Sequence, residues 1–217
     1  MQLRQTDALL VIDMQLDFLP GGALAVADGD HILPGINTLA ARFDHVILTQ
    51  DWHPRHHISF ASTHPGKHPF TDTIEAPYGP QTLWPDHCIQ NTPGANLHPG
   101  LSIPHAELIL RKGFRRDIDS NSAFTENDQH TPTGLAGYLR ERGLTRLFFT
   151  GLAYDFCVGF SALAAARLGF ESLVIEDLTR AVNLSPGSGR PNTVDATNTA
   201  FAAANVLRIS SSELPAE

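Results

Sequence analysis

A chain of 217 residues, 42% of them hydrophobic, can bury one full core, and its formal net charge of −8 lacks the basic footprint that nucleic acid or an anionic membrane requires. The first apolar run, Ala8–Ile12, is stopped by Asp13 and is too short for a signal segment or a bilayer span, so one cytoplasmic domain over 1–217 is expected, with small molecules as its partners. Cys88 and Cys157 are the only cysteines, and in a reducing compartment they point to packing or chemistry before a disulfide.

In chain order, Ala8–Ile12 reads as a buried strand and Leu33–Phe43 as a helix with Pro34 near its start; His45–Thr49 is the second strand. Residues 51–106 break this rhythm. They hold most of the prolines and histidines and show little periodicity, and so long an irregular loop inside a compact domain is functional or disordered; its histidine and aromatic content favours function. Strands are expected again at Glu107–Leu110 and Arg146–Thr150, with a smaller flap at Phe114–His130 and a helix over Pro132–Arg142 ended by Gly143 between them. The helix Asp155–Leu168 ends at Gly169, and Ser172–Ile175, Val194–Ala204 and Val206–Ile209 complete the alternation as strand, helix and strand. Runs apolar on both faces, alternating with helices, predict a three-layer α/β fold with a mostly parallel sheet of about six strands and helices on both sides. Exposed apolar helix faces hint at a homo-oligomer.

Ligands of open parallel sheets bind beyond the carboxyl ends of the strands. Three reactive side chains fall there: Asp13 after the first strand, Lys112 after the third and Cys157 after the fourth. Cys157 also opens an Ala-rich helix, whose unpaired N–H groups and partial positive charge stabilise a thiolate. A carboxylate to take the thiol proton, a lysine to favour the thiolate and the thiol itself make a nucleophilic set. Singly, each has a plainer explanation, as a turn cap, a solvated charge or a small buried residue.

The long loop begins Asp51-Trp-His-Pro-Arg-His-His-Ile-Ser-Phe60, where Asp51 and His53, two apart in extended chain, can point to one ion. Its other end, Trp84-Pro-Asp-His-Cys88, offers His87. One carboxylate and two imidazoles suit a divalent ion, Zn²⁺ first and Fe²⁺ or Mn²⁺ next, with open positions as in catalytic sites. His56, His57 and Ser59 are weaker candidates for a further position, His64, His68 and His98 read as surface residues, and Cys88 reads as packing.

With these pieces in place the chain resembles the nicotinamidases, the metal-dependent branch of the isochorismatase-like cysteine hydrolases. The resemblance spans nearly its whole length: Val11-Ile-Asp-Met-Gln-Leu-Asp-Phe18 with Pro20-Gly-Gly22, Asp51-Trp-His-Pro54 with His57-Ile-Ser-Phe60, Trp84-Pro-Asp-His-Cys88, Lys112-Gly113 and Gly151-Leu-Ala-Tyr-Asp-Phe-Cys-Val158. It implies Asp13, Lys112 and Cys157 as catalytic triad, Asp51, His53 and His87 as metal ligands, and an oxyanion hole from the N–H groups of Ala153 and Cys157, with a cis peptide between Leu152 and Ala153. Phe18 and Trp84 would be aromatic walls of the substrate site. The implied activity is hydrolysis of nicotinamide to nicotinate and ammonia in NAD salvage, through a thioester on Cys157 and with one bound divalent metal; pyrazinamide has the same ring nitrogen and carboxamide. The alternatives are a related hydrolase acting on another small amide or a ureido compound, and a non-catalytic metal- or ligand-binding module. Two positions depart from the pattern: Asn121 stands where many relatives have an aromatic residue, and Tyr154 replaces a smaller polar one.

Overall fold

The computed structural model describes residues 1–185, 187 and 191–214. Its central strand, β1 (Asp7–Ile12), is buried at every position, which demands cover on both faces. Alternate residues divide between two cores: Leu9 and Val11 join one, Ala8, Leu10 and Ile12 the other. The first core is closed by α1 (Leu33–Ala40) through Leu33, Ile36, Leu39 and Ala40. The second is closed by α2 (Leu135–Glu141), α3 (Gly159–Arg167) and α4 (Thr193–Ala204), through residues such as Leu135, Leu139, Ala162, Ala165 and Phe201. The result is the three-layer α/β arrangement expected from the alternation of elements.

β2 (Val46–Asp51) lies on one side of β1, followed outward by β5 (Leu108–Lys112); β6 (Arg146–Leu152), β7 (Glu171–Arg180) and β8 (Leu207–Ile209) extend the other side. The sheet has six strands in the order β5-β2-β1-β6-β7-β8, every neighbouring pair parallel. The chain leaves β1 toward one edge and returns through β6 toward the other, so the switch point of this doubly wound sheet lies beyond the carboxyl ends of β1 and β6. At the opposite end, Asp7 and Arg146 are register partners; Arg146 donates from Nε to Asp7 Oδ1 at 2.7 Å and from Nη2 to Oδ2 at 2.5 Å in a buried bidentate pair.

Three departures from the expected elements have local causes. Residues 51–106 are not wholly irregular: β3 (Thr73–Ala76) and β4 (Gly79–Thr82) form a short antiparallel hairpin turning at Gly79, where φ is +111°. Its strands are half exposed, Pro77 lies in the turn and Pro80 within β4, and this hid them from a search for apolar runs. β7 runs five residues past Ile175, because pairing with β6 resumes beyond a register shift and reaches Thr179 and Arg180. Regular helix starts at Gly159 rather than Asp155; a wide turn, Tyr154–Val158, precedes it, closed by a Val158 N–H to Ala153 O bond of 3.1 Å and broken at Phe156 (φ −128°, ψ −106°). Among the described residues no helix is long and apolar enough to cross a membrane.

Candidate active site

Parallel register sets Lys112 at the end of β5 directly opposite Asp51 at the end of β2. The Lys112 ammonium, whose side chain is fully buried, lies 2.8 Å from Asp13 Oδ2 and donates to Cys157 Sγ at 3.3 Å, to Ser120 O at 3.1 Å and to Asp51 Oδ1. One ammonium has therefore gathered the ends of β1, β2, β5 and β6. Ligand atoms of Asp13, Asp51 and Cys157 lie within 4.8 Å of one another, and the cation they surround is Lys112 itself. Asp13 takes a left-handed conformation (φ +48°) just past β1. Its N–H donates to Thr49 Oγ1 at 3.1 Å, the Thr49 hydroxyl donates back to Oδ1 at 2.5 Å, and Oδ2 is left without an aligned hydrogen bond.

Beside this cluster stands a second one. Asp51 Oδ2 lies 3.5 Å from His53 Nε2 and 3.8 Å from His87 Nε2, and the three residues are buried. His53 Nδ1 is 2.9 Å from Gly113 O and His87 Nδ1 is 2.8 Å from Pro85 O, so carbonyl acceptors hold the protons on Nδ1 and turn both Nε2 lone pairs toward Asp51. Such a donor set fits a divalent cation. Gly113 has φ +66°, and a Cβ there would stand 2.5 Å from His53 Cε1; only glycine lets the backbone after β5 press against that ring.

A cavity opens over both clusters, lined among others by Phe18, Asp51, His53, Trp84, His87, Ala153 and Cys157. Asp13 and Lys112 sit behind Cys157, closed off from solvent. The Leu152–Ala153 peptide is cis, and Ala153 opens the wide turn that carries Cys157. His57 is buried outside the Asp51 cluster, with Nδ1 2.7 Å from Ser59 Oγ and Nε2 3.1 Å from Ile118 O. Cys88 packs in the core; of the three outlying histidines only His68 is exposed, His64 and His98 being half buried. Tyr154 is buried against Phe201 and donates to Asn198 Oδ1 at 2.5 Å, so it faces α4.

The sequence reading passed over several contributors. Gln15 grips the Asp51 backbone twice, accepting its N–H at 2.7 Å and donating to its carbonyl at 2.8 Å. Parity could have signalled Thr49, two before Asp51 and on the same strand face. Leu24, Val26, Phe156 and Val182 add apolar wall, and Asp119 a polar one beside Asn121, the position already marked as departing from the family pattern. Asp155, expected to begin a helix, instead accepts the N–H groups of Val182 and Asn183 at 3.0 and 2.8 Å and the Thr193 hydroxyl, tying the Cys157 turn to a cavity wall.

Burial dominates the electrostatics. It pushes the Cys157 thiol well above its ordinary range; Lys112 opposes this, but Asp13 and Asp51 reinforce it. Burial and the two carboxylates thus favour the thiol over the thiolate, and the stabilisation looked for from a helix start and a lysine is weakened because one ammonium already faces two carboxylates and regular helix begins two residues later. Burial likewise raises Asp13 against the pull of Lys112, with Asp51 adding to the rise, which makes it a better proton acceptor. Asp51 is held well below the usual carboxylate range: Lys112 first, then His53, overcome its burial. Asp13 and Asp51 keep Lys112 charged despite its burial, raising it well above the ordinary lysine range.

The Isochorismatase domain model matches residues 7–192, and the chain belongs to the isochorismatase family. Within it, a nicotinamidase of Acinetobacter baylyi is 57% identical over 178 residues, 82% of this chain and 83% of that protein. The solved nicotinamidase pyrazinamidase of Acinetobacter baumanii superposes with a TM-score of 0.92 at 51% identity, covering 97% of this chain and 98% of that one. The pyrazinamidase of Pyrococcus horikoshii, solved in complex with zinc, has a TM-score of 0.74 at 30% identity, with 94% and 99% covered.

Proposed function

We propose that the protein is a metal-dependent amidohydrolase that converts nicotinamide to nicotinate and ammonia through a thioester on Cys157. The observation that carries this reading is one cavity with Cys157, held by Lys112 and backed by Asp13, on one side and the Asp51, His53 and His87 donors on the other. The similarity to nicotinamidases supports the choice of substrate. Pyrazinamide, with the same carboxamide beside a ring nitrogen, is a second substrate by shape. Residues 51–106 serve as the metal-binding loop of a single domain, and zinc, carried by the Pyrococcus horikoshii relative, is the favoured ion.

In the first half-reaction Asp13 Oδ2 removes the Cys157 thiol proton and the sulfur attacks the carboxamide carbon. The carbonyl π pair moves to oxygen, where the N–H groups of Ala153 and Cys157 meet the developing charge; one such donor is typically worth about 3 kcal/mol. As the tetrahedral centre collapses, the C–N bond breaks, Asp13 returns its proton to nitrogen, and ammonia leaves. Water then attacks the thioester with Asp13 again as base, releasing nicotinate and restoring the thiol. Lys112 compensates the charge that moves between Asp13 and sulfur. A divalent ion held by Asp51, His53 and His87 supplies a Lewis acid for an electron-pair donor on the substrate. Phe18 and Trp84 flank the ring and exclude water.

Ammonia release from nicotinamide, pyrazinamide and a panel of other small amides, with and without a chelator, tests the proposal. Release from nicotinamide that stops on chelation and returns with added zinc is expected. Substantial turnover by Cys157→Ala would rule out the covalent route, and chelator-insensitive hydrolysis of a different amide would move the chain to another branch of the family.

A further inference from the structure

A chain of amides runs from the hairpin to the cavity. Asp119 Oδ2 accepts from Gln81 Nε2 at 3.0 Å, Gln81 Oε1 accepts from Asn127 Nδ2 at 3.1 Å, and Asn127 Oδ1 accepts the Asn121 backbone N–H at 3.0 Å and Asn121 Nδ2 at 3.3 Å. Each orientation is dictated by an end of the chain. A backbone N–H can only donate, so the Asn127 atom facing it is oxygen; the Asn121 atom facing that oxygen is therefore nitrogen. Asn121 Oδ1 is then the end turned away. It takes no hydrogen bond from any described residue, it is not a sealed orphan, and Asn121 lines the cavity. The neighbouring Ser120 carbonyl is 3.1 Å from Lys112 Nζ, itself 3.3 Å from Cys157 Sγ, which anchors this segment beside the nucleophile. Asp119, the other polar wall residue of the segment, already accepts on both oxygens, from the Ser120 N–H at 2.8 Å and from Gln81.

We propose that Asn121 is a specificity-determining residue whose Oδ1 accepts an N–H of the substrate carboxamide. The inference rests on the amidase reading above and adds to it the discrimination of the two ends of the amide. A primary carboxamide has one acceptor end and one donor end. With its oxygen on the N–H groups of Ala153 and Cys157, its NH₂ requires an acceptor, and the relay through Asn127 and Gln81 keeps that acceptor from rotating into a donor. A carboxylate product or an ester has no N–H to give and gains no bond from Oδ1, so the same atom favours substrate over product.

Competition assays on the metal-loaded enzyme test this, with methyl nicotinate, which lacks an N–H, and nicotinate measured as inhibitors of nicotinamide hydrolysis. Asn121→Leu is expected to raise KM for nicotinamide roughly fivefold while the inhibition constants of methyl nicotinate and nicotinate move less than twofold. Asn121→Ala, which adds no bulk, reads the same ratio if leucine does not fit. Parallel weakening of all three ligands, or no change in KM, overturns the assignment of Asn121. A wild-type enzyme that releases no ammonia from nicotinamide would instead overturn the underlying amidase reading.

Discussion

Lys112 and Asp51 face each other across parallel strands, and the ammonium that pairs with Asp51 also touches Asp13 and Cys157. One buried cation thus neutralises part of two clusters that the chain contributes from four strand ends. Its removal leaves two carboxylates facing each other without compensation. Lys112→Met is expected to lower turnover at least a hundredfold and to cost about 3–5 kcal/mol of stability, as breaking a buried ion pair does. Urea melts and ammonia release read the two effects; a variant as stable as wild type would show that the carboxylates find other compensation.

The thiol's elevated pKa sets the pH dependence of its reactivity. In metal-stripped protein the thiolate fraction of Cys157 is small at neutral pH and grows as pH rises past the ordinary thiol value of 9.0, because burial and two carboxylates outweigh Lys112. Iodoacetamide labelling of Cys157, followed by mass spectrometry with Cys157→Ala as blank for Cys88, should be slow at pH 7 and accelerate through the alkaline range. A rate already at plateau by pH 7 contradicts this charge balance.

Gly113 is sterically bound to His53. Gly113→Ala places a methyl 2.5 Å from His53 Cε1 at a backbone angle that alanine rarely takes, so the ring must shift from its Gly113 carbonyl partner. Loss of such an outer contact typically weakens metal affinity 10- to 100-fold, roughly the effect expected for retained zinc after dialysis. Metal content equal to wild type would mean that His53 is positioned without this contact.

The pair Asp7–Arg146 joins β1 to β6 at the end of the sheet away from the cavity, with both side chains nearly inaccessible. Asp7→Asn strands a buried guanidinium and should lower stability by about 3 kcal/mol, seen as a lower urea midpoint. Activity per folded molecule should hold at temperatures where the variant stays folded; loss of turnover there would connect the two ends of the sheet.

Strand positions were readable because each core strand is apolar on both faces, and a strand buried on two sides leaves that mark in any parallel sheet. The hairpin Thr73–Thr82 left no such mark, since its residues face solvent as often as protein. The helix boundary at Cys157 was misjudged for a related reason: Asp155 is a good first-turn residue, but tertiary partners at Val182, Asn183 and Thr193 take its carboxylate.

Local patterning determined which residues end strands, and therefore that Asp13, Asp51, Lys112 and Cys157 lie at the carboxyl end of a parallel sheet. Which of them touch was decided only by strand order and register. The order β5-β2-β1-β6 brings Lys112 within reach of all three partners, and burial then opposes the thiolate stabilisation that Lys112 and the helix start supply. Strand ends follow from short-range hydrophobic periodicity, whereas contacts and desolvation depend on groups far apart in the chain, and no local pattern encodes them.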